Sequence, residues 1–173
     1  MGLRLKIALA TVLRREGLEP AVAVARSTLH DENETFVTLV VAVLDLASDT
    51  LTYSNAGHPS PFLVRADGEV LPLVPTGPLV SPVLDDATWT IETVRFGPGD
   101  RLVAFSDGVL EARDDRGEEF GTDGVLATVG RAGDTVEIVH RLRSAVRDHE
   151  VRPRDDVTIL AAGRQGRGQR PVA

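Results

Sequence analysis

The sequence predicts an α+β domain built on antiparallel sheets, and three observations carry that expectation. Apolar runs of strand length follow one another as hairpins, 36–45 then 51–56 and Phe62–Arg65 then Glu69–Leu71. Helical periodicity falls before and after this strand-rich middle, with one more apolar run, Val157–Ala162, near the end. Strands in series, rather than strands alternating with helices, argue for layered antiparallel sheets and helices and against a doubly wound nucleotide fold. At 173 residues with 42% hydrophobic content, the chain has the length and apolar fraction of a single core.

Leu5, Leu9, Val12 and Leu13 share one helical stripe and Gly17 stops it, so residues 3–16 read as an amphipathic helix. Pro20, favourable in a first helical turn, opens a second helix through Val22, Ala25 and Leu29. Residues 36–45 are rich in Phe, Val, Thr and Leu, and 51–56 alternate after a Ser48-Asp49-Thr50 turn, which makes an antiparallel hairpin. Asp67-Gly68 is a two-residue hairpin signal, because glycine supplies a positive φ without a Cβ clash. Pro98-Gly99 marks a turn ahead of an Arg101–Phe105 strand.

A helix is expected over 122–130, and Asp134-Thr135-Val136-Glu137 has the spacing of a capping box. The helix it opens carries Val136, Val139, Leu142 and Val146 on one face and should end near Glu150. Val157–Ala162 reads as a final buried strand. The segment from Gly163 to Ala173 is dominated by Gly, Arg, Gln and Pro and is expected to be a disordered tail, leaving a domain over residues 1–162.

Composition removes several function classes. Without Cys there is no disulfide framework, no thiolate zinc site and no cysteine-nucleophile phosphatase chemistry. A formal charge of −7 and a pI near 5.1 disfavour nucleic acid and anionic membrane as partners, since both select clustered positive charge. The longest apolar run, Leu39–Leu44, is far shorter than the roughly 18 residues a spanning helix needs. The basic-then-apolar start mimics a signal peptide, but the run is short and Arg14-Arg15 interrupts it. The expectation is a cytoplasmic protein.

The chemistry concentrates on two carboxylates. Asp107, in Ser106-Asp107-Gly108, follows the Arg101–Phe105 run, and Asp155, in Asp155-Asp156, precedes Val157–Ala162. A carboxylate at a strand end is held by a rigid sheet and aims oxygen at a hard cation. His30, His58, His140 and His149 do not cluster at a zinc-ligand spacing, so Mg²⁺ or Mn²⁺ is favoured. Two such ions clamp a phosphoryl group and lower the pKa of bound water, which allows hydrolysis without a covalent enzyme intermediate.

Five motifs then carry a resemblance: Asn55-Ala56-Gly57-His58-Pro59, Gly99-Asp100-Arg101-Leu102, Ser106-Asp107-Gly108-Val109-Leu110-Glu111-Ala112, Phe120-Gly121 and Asp155-Asp156-Val157-Thr158. In this order they resemble the metal-dependent PPM serine/threonine phosphatases, in the bacterial branch of the stage II sporulation protein E phosphatase domain. The resemblance runs from about residue 3 to residue 162. It implies an α-β-β-α sandwich of antiparallel sheets flanked by helices, two Mn²⁺ or Mg²⁺ ions, and hydrolysis of phosphoserine or phosphothreonine on a signalling protein. In that branch the substrate is commonly an anti-anti-sigma factor. Motif matching carries Asp107 and Asp155 over as metal ligands, with Asp156 beside them as an outer partner, and carries over no other catalytic residue.

Family members also have a Gly-Asp motif and an Asp-x-x-Gly-His-Gly motif ahead of the matched region, and this sequence has neither. By the resemblance, the chain corresponds to the C-terminal four-fifths of the domain and lacks its N-terminal strands. An unpaired sheet edge would then favour self-association. Without the bridging carboxylate, double metal occupancy carries an electrostatic penalty. Two readings therefore stand side by side, a metal-dependent phosphatase and a catalytically inactive phosphatase-like module that binds a signalling partner.

Other features have plainer readings. His58, between Gly57 and Pro59, is expected to stabilise a turn by hydrogen bonding. Asp114, Asp115, Glu118 and Glu119 around Gly117 form a solvated charged loop, and Tyr53 and Trp89 are packing residues.

Overall fold

The computed structural model describes residues 36–130, 133–151 and 156–164. The helices expected over 3–16 and from Pro20 to Leu29, the residue Asp155 and the tail beyond Arg164 lie outside the described residues. Ten elements are described: β1 (Leu39–Asp45), β2 (Thr50–Ala56), β3 (Phe62–Val64), β4 (Val70–Pro72), β5 (Glu92–Arg95), β6 (Arg101–Phe105), α1 (Asp107–Leu110), α2 (Gly121–Val129), α3 (Thr135–His149) and β7 (Ile159–Gly163). The architecture is α+β with antiparallel sheets, as the hairpin series predicts. No described helix is long and apolar enough to cross a membrane.

Two compact units share the chain: Met1–His58 with Val74–Arg95, and Pro59–Leu73 with Phe96–Ala173. The first holds a sheet of order β1-β2-β5. The expected hairpin forms in a register from Leu39 opposite Ala56 to Asp45 opposite Thr50. Its turn is fastened by the Asp45 carboxylate, which accepts the N–H groups of Ala47 and Ser48 at 2.8 and 3.3 Å. These bonds favour the ionised form, the Ala47 one most, and hold the Asp45 carboxyl below its ordinary range. Leu51, Tyr53, Ala56 and Val80 are buried, and Trp89 packs on Ala56 and Val80 while its indole N–H donates to the Pro78 carbonyl at 2.7 Å.

The second unit holds a sheet of order β4-β3-β6-β7, all pairs antiparallel. Alternate residues of β3 and β6 supply one face of its core: Phe62, Val64, Val103 and Phe105 meet Val125, Ile138, Leu142 and Val146 of α2 and α3. The rings of Phe62 and Phe105 sit with centroids 5.6 Å apart in a tilted pair. α3 starts at Asp134, whose side chain caps the Glu137 N–H at 2.8 Å as the capping-box spacing predicts.

Several boundaries differ from expectation. The Asp67-Gly68 hairpin has a three-residue loop: Arg65 N–H donates to Glu69 O at 2.8 Å and Gly68 N–H to Arg65 O at 3.0 Å, leaving Ala66, Asp67 and Gly68 between the closing pair. Gly68 at φ 96° supplies the left-handed position that such a loop needs. The buried stripe of α3 is Ile138, Leu142 and Val146, whereas Val136 is 63% exposed. The four-residue steps from Ile138 fit the 3.6 period better than a stripe entered at Val136. β7 begins at Ile159 rather than Val157, and Leu160 on its outer face is 54% exposed. It is an edge strand covered on one face only, with Ile159 and Ala161 turned to the core.

Candidate metal centre

β6 carries an aspartate just outside each end, and the two have opposite environments. At its start, Gly97-Pro98-Gly99-Asp100 closes a turn in which Asp100 N–H donates to Gly97 O at 3.1 Å, with Gly99 at φ 88°. The Asp100 side chain is buried. One carboxylate oxygen accepts Arg65 Nη1 and the Gly97 N–H, both at 2.9 Å, and the other accepts the Ala66 N–H at 3.0 Å. Its acceptor capacity is spent on binding the β3–β4 loop to the start of β6.

At the other end, Phe105 leads through Ser106 into α1, whose first residue is Asp107. Asp107 is exposed, and its carboxylate accepts the N–H of the next residue, Gly108, at 3.0 Å. Gly108 and Val109 are buried beneath it, so a solvent-facing carboxylate sits on a corner fixed by core packing.

Ser106 joins this corner to the segment that enters β7. Its N–H donates to Thr158 O at 3.0 Å, its hydroxyl donates to Asp156 O at 3.0 Å, and the same hydroxyl oxygen accepts the Thr158 N–H at 2.9 Å. The residue before Asp107 is thus tied on both sides of Val157, and Asp156, directly after Asp155 in the chain, is brought to the Asp107 corner. Asp156 is exposed and also lines a cleft of about 510 Å³ between α3 and the start of β7.

The structure therefore brings Asp107 and the Asp156 segment together and leaves Asp155 outside the described residues. The donors present fit a hard cation in kind, being exposed carboxylates on anchored backbone. They are too few for a pair: among the described residues no three His, Asp or Glu side chains converge.

His58 has no part in this arrangement. The turn that contains it is built by Asn55, whose amide donates to His58 O at 3.1 Å and whose carbonyl oxygen accepts the His58 N–H at 2.9 Å. The His58 ring instead bonds the Thr38 hydroxyl through Nδ1 at 3.2 Å. The acidic loop is surface, as expected, and organised from within. Asp114 accepts the Arg116 and Glu118 N–H groups, each at 2.9 Å, and Arg113 pairs with Glu119. The Glu118 bond is the main cause that holds the Asp114 carboxyl below its ordinary range.

Sequence reasoning missed Ser106 and Asp100 as individuals. For Ser106 the available signal was a hydroxyl directly before Asp-Gly at a strand end. For Asp100 it was an acid at the last position of a Gly-Pro-Gly turn.

The family model described as Stage II sporulation protein E (SpoIIE) matches residues 2–165. Among curated proteins, Protein IcfG from Synechocystis sp. is 34% identical over 103 residues, which is 60% of this chain and 16% of that protein. The PP2C phosphatase domain of the cell fate determinant SpoIIE from Bacillus subtilis superposes with a TM-score of 0.75 at 18% identity, over 92% of this chain and 48% of that one. The catalytic domain of the serine/threonine phosphatase PstP, solved in complex with two manganese ions, superposes with a TM-score of 0.67 at 19% identity, over 91% of this chain and 77% of that one. The chain thus spans about one-sixth of the curated relative and about half of the SpoIIE structure.

Proposed function

We propose that this chain, which belongs to the Stage II sporulation protein E family and has the PPM-type phosphatase fold, carries out metal-dependent hydrolysis of phosphoserine or phosphothreonine on a cytoplasmic signalling protein. The observation that carries the reading is the exposed Asp107 carboxylate, fixed at the end of β6 and hydrogen-bonded through Ser106 to the segment that directly follows Asp155. In this reading residues 1–162 form the phosphatase domain, Asp107 and Asp155 hold Mn²⁺ or Mg²⁺, and Asp156 buttresses the pair. A bound metal pair supplies charge for the phosphoryl oxygens and a water acidified toward hydroxide. The chain's own part is to hold the carboxylates at fixed spacing and to leave them open to solvent and substrate.

By family resemblance the substrate is an anti-anti-sigma factor, a phosphoprotein whose state sets sigma-factor availability. The decisive experiment is Mn²⁺-stimulated phosphate release from such a phosphoserine protein, compared between the wild type and Asp107→Ala. Turnover in the wild type that the substitution abolishes supports the enzyme. Binding of the phosphoprotein without turnover supports the second reading, a catalytically inactive module. That reading is favoured by one observation, the absence of Asp-x-x-Gly-His-Gly from the sequence.

A further inference from the structure

We propose that Ser106 is a positioning residue, its hydroxyl setting the spacing between the backbone that presents Asp107 and the backbone that presents Asp155 and Asp156. The inference rests on the phosphatase reading above and concerns a residue that never touches the metal. A hydroxyl is the one small group that both donates and accepts at a single atom. Ser106 uses both capacities, donating to Asp156 O at 3.0 Å and accepting from Thr158 N–H at 2.9 Å. Its backbone N–H adds a third bond, to Thr158 O at 3.0 Å.

The ladder between β6 and β7 explains why a side chain is needed here. Regular pairing ends at Phe105 opposite Ile159, and the chains then leave the sheet, β6 into α1 and the other strand back toward Asp156. Beyond Ile159 the backbone-to-backbone contact is the single Ser106–Thr158 bond. The hydroxyl extends the pairing one residue further, to the Asp156 carbonyl, where no ladder partner remains. Alanine at 106 would keep the backbone bond and lose the two that fix Asp156. Threonine would keep all three.

The spacing of two ligand segments governs how well they share a cation, because outer hydrogen bonds orient the groups that coordinate it. The test is calorimetric Mn²⁺ titration of the full chain, alongside thermal melting in chelator, for the wild type, Ser106→Ala and Ser106→Thr. The expected result is roughly tenfold weaker Mn²⁺ binding in Ser106→Ala, near-wild-type binding in Ser106→Thr, and a chelated melting temperature that moves little. Should Ser106→Ala fail to fold, Ser106→Cys, similar in size with a weaker hydrogen-bonding group, takes its place with the same expected weakening. Mn²⁺ affinity unchanged in Ser106→Ala overturns the positioning role and leaves the metal site standing. A wild-type chain that binds no Mn²⁺ overturns the site reading and the positioning role with it.

Discussion

Asp100 and Asp107 flank the same five-residue strand and have been put to opposite uses. Asp100 is buried and accepts from Arg65, Ala66 and Gly97, so its charge is consumed inside the fold. Asp107 is exposed and, among the described residues, accepts only from its neighbour Gly108. The lesson is that a carboxylate's availability to a cation is decided by the donors the backbone has already aimed at it. One end of β6 aims three donors at its acid, and the other end directs its spare hydrogen bonding to Ser106 instead.

The comparison breaks most sharply at Asp107. Replacing it with Ala should lower Mn²⁺-stimulated phosphate release by at least about a hundredfold, since loss of a mere outer partner of a metal ligand already costs roughly ten- to a hundredfold. The melting temperature in chelator should stay near wild type, because the side chain is exposed. At Asp100 the pattern should invert. Asp100→Ala strands the Arg65 guanidinium and two backbone N–H groups, and is expected to cost about 3 kcal/mol, or roughly 10 °C in melting temperature for a chain of this size. Mn²⁺ affinity of the folded fraction should be retained, as titration calorimetry below the transition would show.

The same corner can be probed without touching a charge. A Cβ added to Gly99 would lie 2.9 Å from the Ala66 Cβ, at a φ of 88° that L side chains rarely adopt. Gly99→Ala should therefore destabilise by about 1–3 kcal/mol in denaturant melts, in the direction of Asp100→Ala and again with little change in Mn²⁺ affinity.

The smallest effect belongs to Asp114, an exposed acid whose donors resemble those of Asp100 in kind but not in burial. The Glu118 and Arg116 N–H groups hold its carboxyl below the ordinary range in the folded state. A depressed folded pKa gives stability that is present above the unfolded-state value, about 4, and that is lost as pH falls through the lower folded value. Asp114→Ala should then lower the melting temperature slightly at pH 7, with the difference from wild type closing below about pH 3.

How much of this was legible in the sequence follows the range of the interaction involved. Local chemistry read well: the β1–β2 hairpin, the Asp134 cap and the Pro98-Gly99 turn are each set by residues within a few positions of one another. What needed the fold was whatever joins distant segments. Nothing near Asp100 announces that Arg65, 35 positions earlier, will claim its charge. Nothing near Ser106 announces a partner 52 residues later at Thr158. Edge position was equally hidden, and so Val157–Ala162 read as a buried strand although Leu160 faces solvent. Asp107 read correctly as a strand-end acid open to solvent, because an acid before a glycine at the end of an apolar run has little around it to spend its charge on.

The most direct test is a calorimetric Mn²⁺ titration of three proteins side by side: wild type, Asp107→Ala and Asp100→Ala. The predicted result is binding by the wild type, its loss in Asp107→Ala and its retention in Asp100→Ala despite lower stability. Equal Mn²⁺ affinity in the wild type and Asp107→Ala would contradict the account.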